Sequence, residues 1–223
     1  MASEVDVCNL ALARLGDAAL VSSISPPDGS AQAGHCAAFY PMVRDYLLER
    51  YAWSFSLTRA ALVQLSATPP SGWLYYYAYP AKVMNLLAIY LQNAPDDSSP
   101  CTFDQEVLPD GTPAILCNVN GVVAKYTLFV TNTTLWSPLF IDSLSYHLAA
   151  ALAGPIIKGP EGVAISRQMF ALGESAFGKA TVSDASQRRI KTTHIPPWVG
   201  ARANSVDPLN PLSATNSYNP PIG

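Results

Sequence analysis

Near the amino terminus apolar side chains recur every three or four residues: Val5, Cys8, Leu12 and Leu15 form one stripe that Gly16 interrupts. Ser3 with Asp6 three positions on has the form of a capping box, so a first helix is expected here. Beyond the Pro26-Pro27-Asp28-Gly29 turn, Ala33, Cys36, Tyr40, Val43, Leu47 and Tyr51 form a second stripe. Pro41 lies within it and, lacking an N–H, is expected to kink or restart the helix. Arg44 and Asp45, beside that break, are expected to make local polar contacts that orient it.

The period then shortens to two. Trp53, Phe55 and Leu57 alternate with Ser54, Ser56 and Thr58, which predicts an extended segment carrying the helix-to-sheet transition. "LYYYAYP" and "KVMNLLAIYL" read as sheet-forming, the second also being compatible with a short helix. "CTFDQEV" is joined across "LPDG" to "TPAILCNV", and Asn120-Gly121 joins that strand to "VVAKYTLFV". Two hairpins follow from this pattern, within a small antiparallel sheet at about residues 75–131.

Helical spacing returns in "SPLFIDSLSYHLAAALAGP". Ser137 suits the cap, Pro138 the first turn, and Phe140, Leu144, Leu148, Ala151 and Leu152 share a face until Gly154-Pro155. Pro160 opens a further helix whose Val163, Met169, Phe170 and Phe177 are expected to point inward. Neither helix pair can bury its stripe alone. The expected fold is therefore α+β: a four-helix bundle (1–62 and 132–184), an inserted small antiparallel β-sheet domain (63–131) and an extended proline-rich C-terminal arm (185–223).

Charged residues make up only 13% of the chain against 49% apolar residues, so much of the surface is uncharged and suits a subunit covered by partners. A net charge of -3 argues against general nucleic-acid binding. The charge is also unevenly placed. No base occurs between Lys82 and Lys125, where Asp96, Asp97, Asp104, Glu106 and Asp110 accumulate, while bases outnumber acids from Lys158 to Lys191. The beginning of the sequence lacks the basic region of a signal peptide, and no unbroken apolar run approaches the roughly 18 residues of a membrane span. A cytoplasm-like compartment is expected, with Cys8, Cys36, Cys101 and Cys117 as reduced core thiols rather than zinc ligands.

The final stretch, "TTHIPPWVGARANSVDPLNPLSATNSYNPPIG", is rich in proline yet carries Ile195, Trp198, Val199, Leu209, Leu212 and Tyr218. Fixing it costs roughly 1–2 kcal/mol per residue in backbone entropy, which is offset only if nearly all of these side chains find pockets. They are the candidate contacts of an assembly arm that orders on binding; a linker is the plain alternative. Arg188, Arg189 and Lys191 form a basic hinge before it, suited to nucleic acid, to an acidic partner surface, or simply to solvent.

No nucleotide, hydrolase or zinc-protease motif occurs, and no cofactor is expected. His147, near Ser143 and Asp142 on one helix, cannot form a converging triad with them and reads as solvent-facing or internally satisfied. Asp104 and Glu106, two apart on a strand, share a face. Such a pair equips a glycosidase, and equally a solvated edge or the wall of an anionic channel. "WLYYYAY" has the composition of a stacking platform, although alternation within a sheet explains it as well.

Four segments in order, "CNLALARLG" (8–16), "CAAFYPMVRDYLLERYAWSFSLTRAAL" (36–62), "YAYPAKVMNLLAIY" (77–90) and "LFVTNTTLWSPLFIDSLSYHLAAALAGPI" (128–156), resemble the head-to-tail adaptors of short-tailed phages, the tail tubular protein A family. The resemblance implies a non-enzymatic virion protein of the tail and neck, assembled in the host cytoplasm. It implies a homo-oligomeric, dodecameric ring beneath the portal protein, joined to the tail nozzle protein and passing DNA without specific binding or membrane contact. Asp104 and Glu106 would then be candidate channel-facing acids. The chain departs from the family pattern at Tyr51-Ala52, where His-Pro is more usual, and in its long proline-rich terminus. The alternatives are a carbohydrate-cleaving tail enzyme using Asp104 and Glu106, and a free-standing interaction module.

Overall fold

The computed structural model describes residues 2–93 and 99–187, which belong to one compact unit. Helix α1 (Glu4–Arg14) starts at the expected capping box: the Ser3 hydroxyl accepts from the Asp6 N–H, and the Asp6 carboxylate accepts from the Ser3 N–H at 2.7 Å. Helix α2 (Ala31–Glu49) is capped by the Ser30 side chain and runs without interruption through Pro41. Pro41 therefore does not restart it. One missing N–H is offset here by the stripe on either side, since Cys36, Tyr40, Leu47 and Leu48 are all buried together.

Helices α3 (Pro138–Ile157) and α4 (Gly159–Ser186) follow the strands. The Ser137 cap and Pro138 in the first turn are as the sequence suggests. Gly154-Pro155 does not end α3; the turn comes at Lys158 and Gly159, both with positive φ. α4 also includes Ala185 and Ser186, which the sequence assigns to the arm. The remainder of the arm, with Ile195, Trp198, Val199, Leu209, Leu212 and Tyr218, and the hinge Arg188, Arg189 and Lys191 lie outside the described residues.

α3 is the hub, with α1, α2 and α4 all packed on it. It is long and apolar enough to span a membrane, although Asp142 and several serines break its apolar run, and 56% of that span is buried within the fold. Phe140, Leu144, Leu148 and Leu152 are fully buried, as their spacing predicts. α4 departs from expectation in part: Met169 and Phe177 pack against the helical core as expected, but Val163 and Phe170 are exposed, and the fully buried positions are Gly162, Gly173, Ala176, Ala180 and Asp184. Small residues let the α4 backbone approach α3 closely, which leaves Val163 and Phe170 on the outward side.

Among the described residues, six strands lie between the helix pairs. β1 (Leu57–Ala61), β6 (Val122–Leu128) and β3 (Val83–Leu91) form one antiparallel sheet in the order β1-β6-β3. β2 (Tyr75–Ala78), β5 (Pro113–Cys117) and β4 (Phe103–Val107) form a second, in the order β2-β5-β4. Bridges Gln64↔Tyr77 and Ile89↔Cys101 tie the sheets at both edges, so the strands run in a closed circuit β1-β6-β3-β4-β5-β2. Closure leaves little unpaired edge. Tyr77, Ile89, Ile115, Cys117 and Val122 fill the interior.

The β4–β5 hairpin across "LPDG" is present, with Leu108 N–H bonded to Thr112 O at 2.8 Å. Asn120-Gly121 is not a hairpin turn. β5 already has β2 and β4 on its two sides, so Gly121, at φ 66°, passes the chain to the other sheet, where β6 pairs with β1 and β3. Leu57–Ala61, placed at the bundle's end by the sequence, is thereby a strand of the sheet.

Trp53 joins the two parts. It is completely buried, its indole N–H donates to Leu47 O at 2.9 Å, and it packs edge-on to Tyr51, Phe140 and Phe177 and stacked on Phe55. Arg44, buried, donates to Asp45 at 2.7 Å and lies over Phe129 at the end of β6.

Candidate functional site

The sequence singles out Asp104 and Glu106, and they do share a face of β4, in register with Leu116 and Ala114 of β5. Leu116 and Ala114 pack with Tyr76 in a cluster separate from the Tyr77–Ile115–Cys117 interior, so both acids are on the side of the sheet away from that interior. Asp104 is exposed, and its carboxylate accepts from the Gln105 N–H at 2.8 Å. Glu106 is half-buried and accepts a short hydrogen bond from the Tyr76 hydroxyl, reached across β5. Donation to that carboxylate holds the Tyr76 phenol above its ordinary value. The two acids are thus differently engaged: one ties β4 to β2 across β5, and the other faces water.

A second polar cluster, missed by the sequence reading, lies where α2, α3 and α4 meet. Arg50 follows α2 and grips Glu174 of α4 with two hydrogen bonds, Nη1 to Oε1 at 2.5 Å and Nη2 to Oε2 at 2.9 Å. His147 of α3 is buried; its Nδ1 lies 2.8 Å from Ser143 O and its Nε2 3.0 Å from Glu174 Oε1. The internally satisfied reading of His147 is the one that holds. The Arg50 guanidinium lowers the Glu174 carboxyl to about 2, with His147 assisting. Its guanidinium carbon also sits 4.2 Å above Phe177 and 5.1 Å above Tyr46. Partners 124 positions apart leave no local signal, which is why spacing could not find them.

Beside this cluster is an open apolar cleft of about 240 Å³, walled by Val43, Tyr46, His147, Ala151 and Phe170. Of its walls Phe170 is 47% exposed and Tyr46 45%; elsewhere on the same helices Met42 is 68% exposed and Val163 51%. Large apolar side chains therefore face outward on both α2 and α4. A second, more polar hollow of about 300 Å³ lies near the end of α4, where buried Asp184 accepts from the Ser54 N–H at 3.0 Å and from its hydroxyl. Among the described residues no group of three His, Cys, Asp or Glu is placed to hold a metal ion.

No protein-family model matches the chain, and no curated protein matches it.

Proposed function

We propose that this chain is a structural head-to-tail adaptor of a short-tailed phage, a four-helix bundle with an inserted sheet and an extended C-terminal arm. In this reading it forms a dodecameric ring between the portal protein and the tail nozzle protein in the virion neck. The observation that carries it is the set of outward apolar side chains on α2 and α4, Met42, Tyr46, Val163 and Phe170, on a chain with only 13% charged residues. Exposed apolar side chains of this size, two of them walling one cleft, are a place for partners. The order of helix pair, strands and helix pair accords with the four segments that resemble the adaptor family.

The arm's Ile195, Trp198, Val199, Leu209, Leu212 and Tyr218 extend that contact to neighbouring subunits, with Arg188, Arg189 and Lys191 as its hinge. Asp104 and Glu106 line the channel, where negative charge repels DNA phosphates and keeps passing DNA from adhering. Native mass measurement of the purified chain, alone and mixed with portal protein, tests the proposal. A ring mass in either condition, with the Trp198 region protected from protease only in the ring, is the expected result. A monomer in both conditions, cut equally at that region, overturns it.

A further inference from the structure

All four cysteines are free, and they fall into two pairs in separate cores: Cys8 and Cys36 in the helical core, Cys101 and Cys117 in the strand core. Cys8 and Cys36 pack within the same helical core, and Cys101 packs against the strand core that contains Cys117. The pairs differ in access. Cys8 and Cys36 are both fully buried, whereas Cys101 is partly exposed over a fully buried Cys117.

The strand register independently places the second pair side by side. Cys117 lies opposite Phe103, and Cys101 is two residues before Phe103, so Cys101 and Cys117 are diagonal neighbours on one face. Diagonal neighbours stand roughly 7–8 Å apart between Cα atoms. A disulfide needs about 4.4–6.8 Å, so a shift of on the order of 1 Å suffices. Cys101 can make that shift, because it precedes the regular β4 ladder and is held by a single bridge to Ile89.

We propose that Cys101 and Cys117 form a dithiol site, with Cys101 as the entry thiol, that a small-molecule disulfide oxidises to an internal disulfide. The Cys101 thiolate attacks one sulfur of oxidised glutathione, breaking its S–S bond; the first glutathione leaves and takes up a proton. The Cys117 thiolate then attacks the Cys101 sulfur and expels the second glutathione. The protein loses two electrons and two protons, and the glutathione disulfide gains them. In a reducing cytoplasm the site stays open; in oxidising surroundings it closes, joining the segment that leads into β4 to the end of β5. Burial raises the Cys101 thiol above its ordinary value of 9.0, so the reaction accelerates as pH rises through that range. This inference does not depend on the adaptor reading.

The test exposes the folded full-length protein to oxidised glutathione, caps remaining thiols with iodoacetamide and maps them by mass. Cleavage before Asp104 and Asp110 separates the two cysteines. In wild type a Cys101–Cys117 crosslink that dithiothreitol reverses is expected, with Cys8 and Cys36 still capped. Cys117→Ser should stop at a stable Cys101–glutathione adduct. A wild-type protein that also stops at that adduct, keeps all four thiols, or forms Cys101-linked dimers overturns the proposal.

Discussion

Around Trp53 the helical part buries a set of aromatic rings in edge-on and stacked contact, whereas around Ile115 the strand part buries aliphatic side chains, Tyr77 and a thiol. Their polar fastenings differ as well. The helices are tied by ion pairs that cross the fold, Arg14–Asp142 at 2.6 Å and Arg50–Glu174; the strands use tyrosine hydroxyls, Tyr77 to Val119 O at 2.8 Å and Tyr76 to Glu106. A large rigid core lets α2 and α4 carry exposed apolar side chains without collapsing onto them. The strand core is smaller, and there the one partly exposed thiol, Cys101, sits beside buried Cys117.

The strongest way to break this contrast is Trp53→Ala. Because Trp53 touches Tyr51, Phe55, Phe140 and Phe177, its loss should cost about 3–5 kcal/mol, while Ile115→Val should cost about 0.5–1.5 kcal/mol. Denaturant midpoints measure both, and amide exchange should quicken throughout α2 and α3 in the first variant but chiefly in β2, β4 and β5 in the second. Equal losses, or an unchanged midpoint for Trp53→Ala, would contradict the placement of the main core.

Gly173→Ala probes the helical part at a single contact. A Cβ there would lie 2.7 Å from His147 Cε1 and Nδ1, and the ring is held by Ser143 O and Glu174, so it cannot swing away. Overpacking of about 1–3 kcal/mol outweighs the roughly 1 kcal/mol that alanine gains in helix propensity. A net loss on the order of 1 kcal/mol is expected. Adding His147→Ala removes the obstacle, so the double variant should be more stable than the sum of the two losses implies. Strict additivity would show that the ring is not what Gly173 accommodates.

What the sequence made legible was local. The Ser3–Asp6 box, the Ser137-Pro138 start and the β4–β5 hairpin are each decided within a few residues. The Asn120-Gly121 reading failed because a turn signal does not say whether the preceding strand has a free side, and β5 has none. On α4 the pattern placed Met169 and Phe177 correctly against the core but not Val163 and Phe170, because close packing on α3 selects Gly173, Ala176 and Ala180 there. At the candidate site, alternation alone put Asp104 and Glu106 on one face. That Tyr76 engages Glu106, and that Arg50, Glu174 and His147 converge, depends on how distant segments meet.

The smallest effect separates charge from shape within the helical cluster. Glu174 has an ordinary value of 4.5 and is lowered to about 2 in the fold by the Arg50 guanidinium. A carboxyl so depressed contributes stability above pH 4.5 that is lost as pH falls through 2, because protonation releases Arg50 only in the folded state. Its side chain is 36% exposed, so water screens much of the attraction, and a contribution of about 0.2–1 kcal/mol is expected at neutral pH. Glu174→Gln keeps the shape and the acceptor oxygen but removes the charge. Stability of the variant, followed by urea denaturation from pH 7 to pH 2, should fall below wild type at neutral pH and converge with it near pH 2. Parallel curves over that window would mean that packing against Phe177 and Tyr46, rather than charge, holds Arg50 in place, and the helical part would then be fastened by the same kind of contact as its aromatic core.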